Sequence, residues 1–298
     1  MVTVVADSAE KSTIVRTEYG GSSWRRGVLA LAERHAPGLG ARIAVRMWMT
    51  LPSAGLGVAR AALAGPGERG TVRMDGTRIA TESWGQGPVV YLLHGWGGYR
   101  GQLGAFVGPL TGAGFRVVAV DAPSHGESGP GRHGPGRSML AEFSAALRSA
   151  VGHYGPGCGV IAHSMGASAT AVAALDGLDV QRLVLIAPVT DPVSAIDLWT
   201  RMAGVGARIR ARMPRRIERR ARISLADFDI VARAAEREDL PAALVIHDAA
   251  DKEVPFGRGV RVAGAWPDAR FQGTHGLGHR RILRDAEVIR SAVAFLGQ

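Results

Sequence analysis

Apolar runs alternate with longer amphipathic stretches through most of this chain. Strand candidates fall at 89–93, 116–120, 158–162, 182–187, 243–247 and 269–272. Between them, apolar residues recur at helical spacing near 101–113, 137–154, 165–177 and 257–265, and a last helix is expected at 284–296. Such alternation predicts an α/β fold, a mostly parallel sheet with helices on both faces. Ahead of it, TVRMDGTRIATESWG (71–85) alternates about Asp75-Gly76, a hairpin signal.

Two stretches stand outside this rhythm. In residues 1–70 a helical pattern begins at Ser23, with Trp24, Val28, Leu31 and Ala32 on one spacing. Gly38 and Gly40 interrupt it, a second helix is expected over 41–51 before Pro52, and a third over 57–63 before Gly65-Pro66-Gly67. We read 1–70 as an N-terminal helical arm. Residues 191–240 are helical and rich in arginine. Within 208–222 there are eight arginines and one acid, Glu218. Arg208, Arg212, Arg215, Arg219 and Arg222 form one line and Ile209, Met213 and Ile217 another. The pattern predicts an amphipathic helix whose arginines face water while its apolar line turns to a pocket. The alternative is a docking face for an anionic partner: nucleic acid, anionic lipid, CoA phosphate or an acidic carrier protein.

Composition narrows the choice. The 298 residues suit one large domain or one domain plus an accessory piece, and 46% hydrophobic content supports a sizeable core. The net charge of +10 comes mainly from arginine, but no aromatic residues interleave the basic run, so nucleic acid is not expected as a partner. The single cysteine, Cys158, lies in an apolar strand; it predicts a buried small side chain, no disulfide and no zinc or iron–sulfur site. MVTVVADSAEKST lacks the pattern of a signal peptide. The uncharged stretch 47–59 is too short for a membrane span and is broken by Pro52. A cytoplasmic protein without a membrane span is expected, and a homo-oligomer is left open.

The chemistry centres on VIAHSMGAS, residues 160–168. An apolar strand leads into Ser164, and small residues follow at helical positions. This strand–turn–helix context suits a nucleophile elbow, which lifts a serine hydroxyl to the positive end of a helix. Ala162 stands at the first small position of G-x-S-x-G and Gly166 at the last. Downstream come an acid near 248–251 and a histidine near 275–279, in the order Ser…Asp…His.

With VVYLLHGWGGYR (89–100), DAPSHGESG (121–129), ALVIHDAADKEVP and THGLGHRRIL, the chain resembles the α/β-hydrolase superfamily, and within it bacterial serine esterases and lipase-like members. Ser124 stands where that family usually has glycine. The resemblance implies an α/β-hydrolase core at 71–190 and 241–298 and a helical cap at 191–240. It also implies a Ser164 nucleophile, His279 as base in GLGHRRIL rather than His275, and Asp251 in DKEVP rather than Asp248. The oxyanion hole would use the backbone N–H groups of Met165 and Trp96. His94 and His125 would be structural. No metal and no cofactor are implied, and the glycine-rich stretches 95–98 and 129–136 lack the lysine and spacing of a nucleotide loop. The function expected is cleavage of a small-molecule carboxylic ester through an acyl-enzyme. The alternatives are a thioesterase or acyltransferase on CoA- or carrier-bound acyl groups, and a non-catalytic member that binds a small ligand.

Overall fold

The computed structural model describes residues 23–52 and 65–298. The third helix expected at 57–63 lies outside them. Eight strands form one sheet: β1 (Glu68–Met74), β2 (Thr77–Trp84), β3 (Val89–Leu93), β4 (Arg116–Val120), β5 (Gly157–His163), β6 (Val180–Ile186), β7 (Ala242–Asp248) and β8 (Ala269–Thr274). Their order is β1-β2-β4-β3-β5-β6-β7-β8, and only β2 runs antiparallel to its neighbours. The β1–β2 hairpin turns at Asp75-Gly76, both at positive φ, 47° and 79°. Two such residues give the turn twist that matches the strands.

The helices are α1 (Ser23–His35), α2 (Pro37–Met49), α3 (Val107–Gly112), α4 (Leu140–Tyr154), α5 (Met165–Leu175), α6 (Pro192–Ala203), α7 (Ala207–Arg210), α8 (Met213–Ala221), α9 (Ile230–Ala234), α10 (Gly257–Ala265), α11 (Gly278–Arg281) and α12 (Ala286–Leu296). The helix expected at 101–113 is split into a 3-10 segment, Arg100–Phe106, and α3. On one face of the sheet Phe143 and Leu147 of α4, the small side chains of α5 and Val262 of α10 share a core. Leu110 of α3 and Phe295 of α12 close the other face. Burial from both sides explains why the central strands read as unbroken apolar runs. Cys158 sits only half-buried at the margin of the second core.

A third apolar cluster lies outside the sheet layers. Leu29 of α1 and Ala44, Val45 and Met49 of α2 pack against Ile209, Met213 and Ile217. The apolar line of the arginine-rich segment therefore faces the N-terminal helices, and the expectation that it turns to a pocket is corrected. Gly38 and Gly40 lie inside α2 rather than breaking it. A Cβ at Gly40 would run into the Ile209 side chain, so the glycine serves close helix–helix approach. No helix among the described residues is long and apolar enough to cross a membrane.

Candidate active site

β5 ends at His163 and α5 begins at Met165, leaving one residue, Ser164, to make the turn. Ser164 has φ 54° and ψ −120°, a conformation that non-glycine residues reach only under constraint. The constraint is visible: Ser164 N–H donates to the Ile186 carbonyl on β6 at 2.8 Å. Gly166 makes the turn passable, since a Cβ there would strike the carbonyl oxygens of Leu93 and His94. Ten of the eleven residues of α5 are buried, and their small side chains let the helix lie close to sheet and α4.

Ser164 Oγ–H faces His279 Nε2 at 3.1 Å, and His279 Nδ1–H donates to Asp251 Oδ2 at 2.7 Å. A carboxylate only accepts, which sets this tautomer. The Asp251 side chain is fully buried. Burial alone would raise its pKa, but hydrogen bonds from His247 and His279, the His279 charge and the Val254 N–H together hold it well below the usual carboxylate range. Its Oδ1 accepts from the N–H groups of Glu253 and Val254, both at 2.8 Å. The fold thus brings Ser164, His279 and Asp251 from three separate loops into one hydrogen-bonded chain.

Asp248, the other acid considered, does separate work. Its oxygens accept from Ala250 N, Gly278 N, Leu277 N and Thr274 Oγ1 at 2.8–3.0 Å. It ties the end of β7 to the loop that carries His279. His275 is exposed.

The loop after β3 lies over the serine. A Cβ at Gly95 would stand 3.1 Å from Ser164 Cβ and 3.0 Å from His163 Nδ1. The backbone N–H groups of Trp96 and Met165 have no hydrogen-bond acceptor among the described residues. Neighbouring Gly97 N–H is taken by His125 Nε2, and the Trp96 indole packs on His125 and Phe143. The DAPSHGESG turn behind this loop is held by Arg100, which is buried and paired to Asp121, Glu82 and Glu127. Ser124 adopts φ 64° there, the region that favours the glycine usual in this family.

Sequence reasoning singles out neither His247 nor Glu253, and reads His163, next to the serine, as a pocket or packing residue. His163 Nε2–H donates to the His279 carbonyl at 2.9 Å, with the two rings 4.5 Å apart. His247 Nε2 lies 3.0 Å from the Val254 carbonyl and 3.4 Å from Asp251 Oδ2. Glu253 places Oε2 3.9 Å from His279 Nε2. Each lies within VIAHSMGAS or ALVIHDAADKEVP, but which partner it meets depends on how the loops come together. Among the described residues no group of three His, Cys, Asp or Glu has the geometry of a metal site.

Fold and site define an α/β-hydrolase. Residues 86–256, more than half of the chain, match the family described as serine aminopeptidase, S33, and the chain belongs to that family of hydrolases. A shorter stretch is 44% identical over 63 residues to pimeloyl-[acyl-carrier protein] methyl ester esterase of Methylococcus capsulatus, covering 21% of each chain. The chain thus matches about a fifth of that relative's length. Among solved structures, an esterase from Exiguobacterium antarcticum superposes with TM-score 0.58 at 16% identity, over 76% of this chain and 99% of the other. A thermophilic esterase from Thermogutta terrifontis gives 0.56 at 20% identity, over 78% and 100%. These two likenesses are of fold.

Proposed function

We propose that the protein is a serine hydrolase that cleaves carboxylic esters through an acyl-enzyme. The observation that carries this reading is the unbroken hydrogen-bonded chain Ser164–His279–Asp251, ending on a serine held at the strand–helix turn. In the first half-reaction Ser164 Oγ bonds to the ester carbonyl carbon as its proton passes to His279 Nε2. The resulting imidazolium is stabilised by the buried Asp251 carboxylate. The carbonyl π-electrons move to oxygen, where Met165 N–H at the start of α5 and Trp96 N–H are the expected donors. Collapse expels the alkoxide, which takes the proton from His279 and leaves as alcohol. Water then repeats the sequence on the acyl-serine, releasing the acid and restoring Ser164. No step requires a metal or cofactor.

Residues 191–240, following β6, are proposed as the cap over this site, with the arm helices packed on its outer side. The relative's name specifies a methyl ester on a carrier protein, so carrier-bound substrates belong in the assay beside free ones. A fluorophosphonate probe, mapped by mass spectrometry, should label Ser164 and no other serine. Ser164→Ala should lose on the order of a thousandfold or more in kcat with an unchanged circular dichroism spectrum. Acyl esters from short to long chain, run against the matching CoA thioesters, separate esterase from thioesterase. Near-normal turnover by a folded Ser164→Ala protein would overturn the mechanism.

A further inference from the structure

The arginines of the cap do not simply face bulk water. A groove of about 940 Å³ lies between α2 and α8, away from Ser164. Arg42 and Arg46 enter it from α2, and Arg216, Arg219, Arg220 and Arg222 from the α8 side. Arg212 and Arg215 line a smaller groove of about 300 Å³ alongside. Two segments far apart in sequence thus aim the same charge at one space. Among the described residues, none of these arginines has a carboxylate within ion-pair distance. Two nearby acids serve backbone groups: Glu33 accepts from Arg208 N and Ile209 N, and Glu218 from Leu225 N. The mutual repulsion is felt. Arg216 is pushed below its ordinary pKa by partial burial and then by Arg42 and Arg219. Burial, followed by Arg220, Arg132 and Arg137, holds nearby His133 down at about 4.

The same helical hairpin shows an unusual apolar surface. Trp24, Val28 and Leu31 occupy one side of α1 at i, i+4 and i+7, and are 64%, 41% and 65% exposed. Leu39, 55% exposed, stands at the edge of the arginine groove. Only three other large apolar residues among those described, Val193, Val260 and Phe271, are comparably exposed, and none lies on this hairpin. An arginine-lined cavity accounts for an anion. Exposed valine and leucine on α1 of the same hairpin, with Leu39 at the groove's edge, account for an apolar medium. One surface supplies both: phosphates for the guanidinium groups, which bind them bidentately, and the headgroup–acyl boundary for the apolar row. A second copy of the chain would bring arginines against arginines, and a soluble polyanion leaves the apolar row unexplained.

We propose that α1, α2 and α8 form a docking face for an anionic phospholipid surface. This stands independently of the chemistry at Ser164.

The test is co-sedimentation of the full chain with phosphatidylcholine vesicles, with and without phosphatidylglycerol. Binding is expected only where phosphatidylglycerol is present, and should weaken as salt rises. Arg42→Gln/Arg216→Gln/Arg219→Gln should lower partitioning by roughly a hundredfold, about fivefold per arginine. Leu31→Gln should weaken it separately. These side chains are exposed or half-buried, so circular dichroism and small-ester turnover should match the parent protein and exclude misfolding. Equal binding to both vesicle types, binding to neither, or parental binding by the triple variant would overturn the proposal. So would a dimer in sedimentation velocity that Leu31→Gln dissociates, in the absence of vesicle binding. Arginine-dependent binding to an acidic carrier protein without vesicle binding would likewise assign the face to a protein.

Discussion

His94 and His125 pin the loop after β3 to the turn after β4, each accepting a backbone hydrogen bond from the other's loop. His94, in the loop after β3, accepts at Nε2 from Ala122 N–H in the turn after β4, at 3.1 Å. His125, in that turn, accepts at Nε2 from Gly97 N–H in the loop after β3, also at 3.1 Å. Each ring donates its Nδ1–H to a local carbonyl, Gly95 for His94 and Pro123 for His125. Both rings pack on Phe143. An accepting Nε2 must be unprotonated, so the loop that presents Trp96 N–H depends on two neutral histidines.

That dependence makes the fold acid-sensitive. Burial, above all, holds His94 at about 4 and, with the His94 neighbour, His125 at about 3. An unfolded histidine titrates near 6.5. Between those values the unfolded chain binds more protons than the folded one, so stability is full above about pH 6.5 and falls as pH drops toward 4. Urea unfolding from pH 7 to pH 4 should show this slope. It should be shallower in His125→Asn, whatever that variant's stability at pH 7. An unchanged slope would remove His125 from the account.

Asp251 and Asp248 should separate by the quantity they control. Asp251→Asn leaves His279 facing an amide that cannot stabilise an imidazolium, and kcat should fall by on the order of 10³–10⁴ in protein that remains folded by circular dichroism. Asp248→Asn keeps one accepting oxygen where two now take four hydrogen bonds. It should cost roughly 1–3 kcal/mol for each buried donor left unpaired, read by urea unfolding. If Asp248→Asn instead halts turnover in a protein of undiminished stability, the two roles are reversed.

Much of this was readable beforehand, for physical reasons that differ by element. β3 and β4 match their expected bounds because continuous apolar runs stop abruptly at turn-forming residues. Asp75-Gly76 announced its hairpin because few residues tolerate two positive φ angles in succession. Ser164, Asp251 and His279 could be picked out because each sits in a short motif. What the chain hides is anything set by contact between distant segments. Gly40 looks like a helix breaker until Ile209 is seen pressed against it. The line Ile209–Met213–Ile217 declares that it will be buried but not against what. His163 looks like a bystander of the serine, and its hold on the His279 carbonyl spans more than a hundred residues.

Arg100 should prove a structural keystone of the turn after β4. It is 7% exposed and contacts Asp121, which is fully buried, together with Glu82 and Glu127. Arg100→Met would leave the Asp121 carboxylate buried without its counter-charge. Breaking such a pair costs about 3–5 kcal/mol. Chemical denaturation should show a loss of that size, and aryl-ester turnover should fall as the His125 turn loosens. A loss below about 1 kcal/mol would mean that Asp121 finds other compensation, from the Arg100 and Glu127 backbone N–H groups it already accepts.

The apolar line of the arginine-rich segment should govern the attachment of the arm and not the choice of acyl chain. Ile217 is 1% exposed and shares its cluster with Ala44, Val45 and Met49 of α2 and Leu29 of α1. Ile217→Ala should cost about 2–5 kcal/mol at that contact. Because the cluster lies apart from the two sheet cores, the loss should appear as faster amide exchange in α1, α2 and α8 while the central strands stay protected. Across a series of acyl esters the order of preference should match that of the parent protein. A shift in preferred chain length, with protected helices, would return Ile217 to the wall of the substrate pocket.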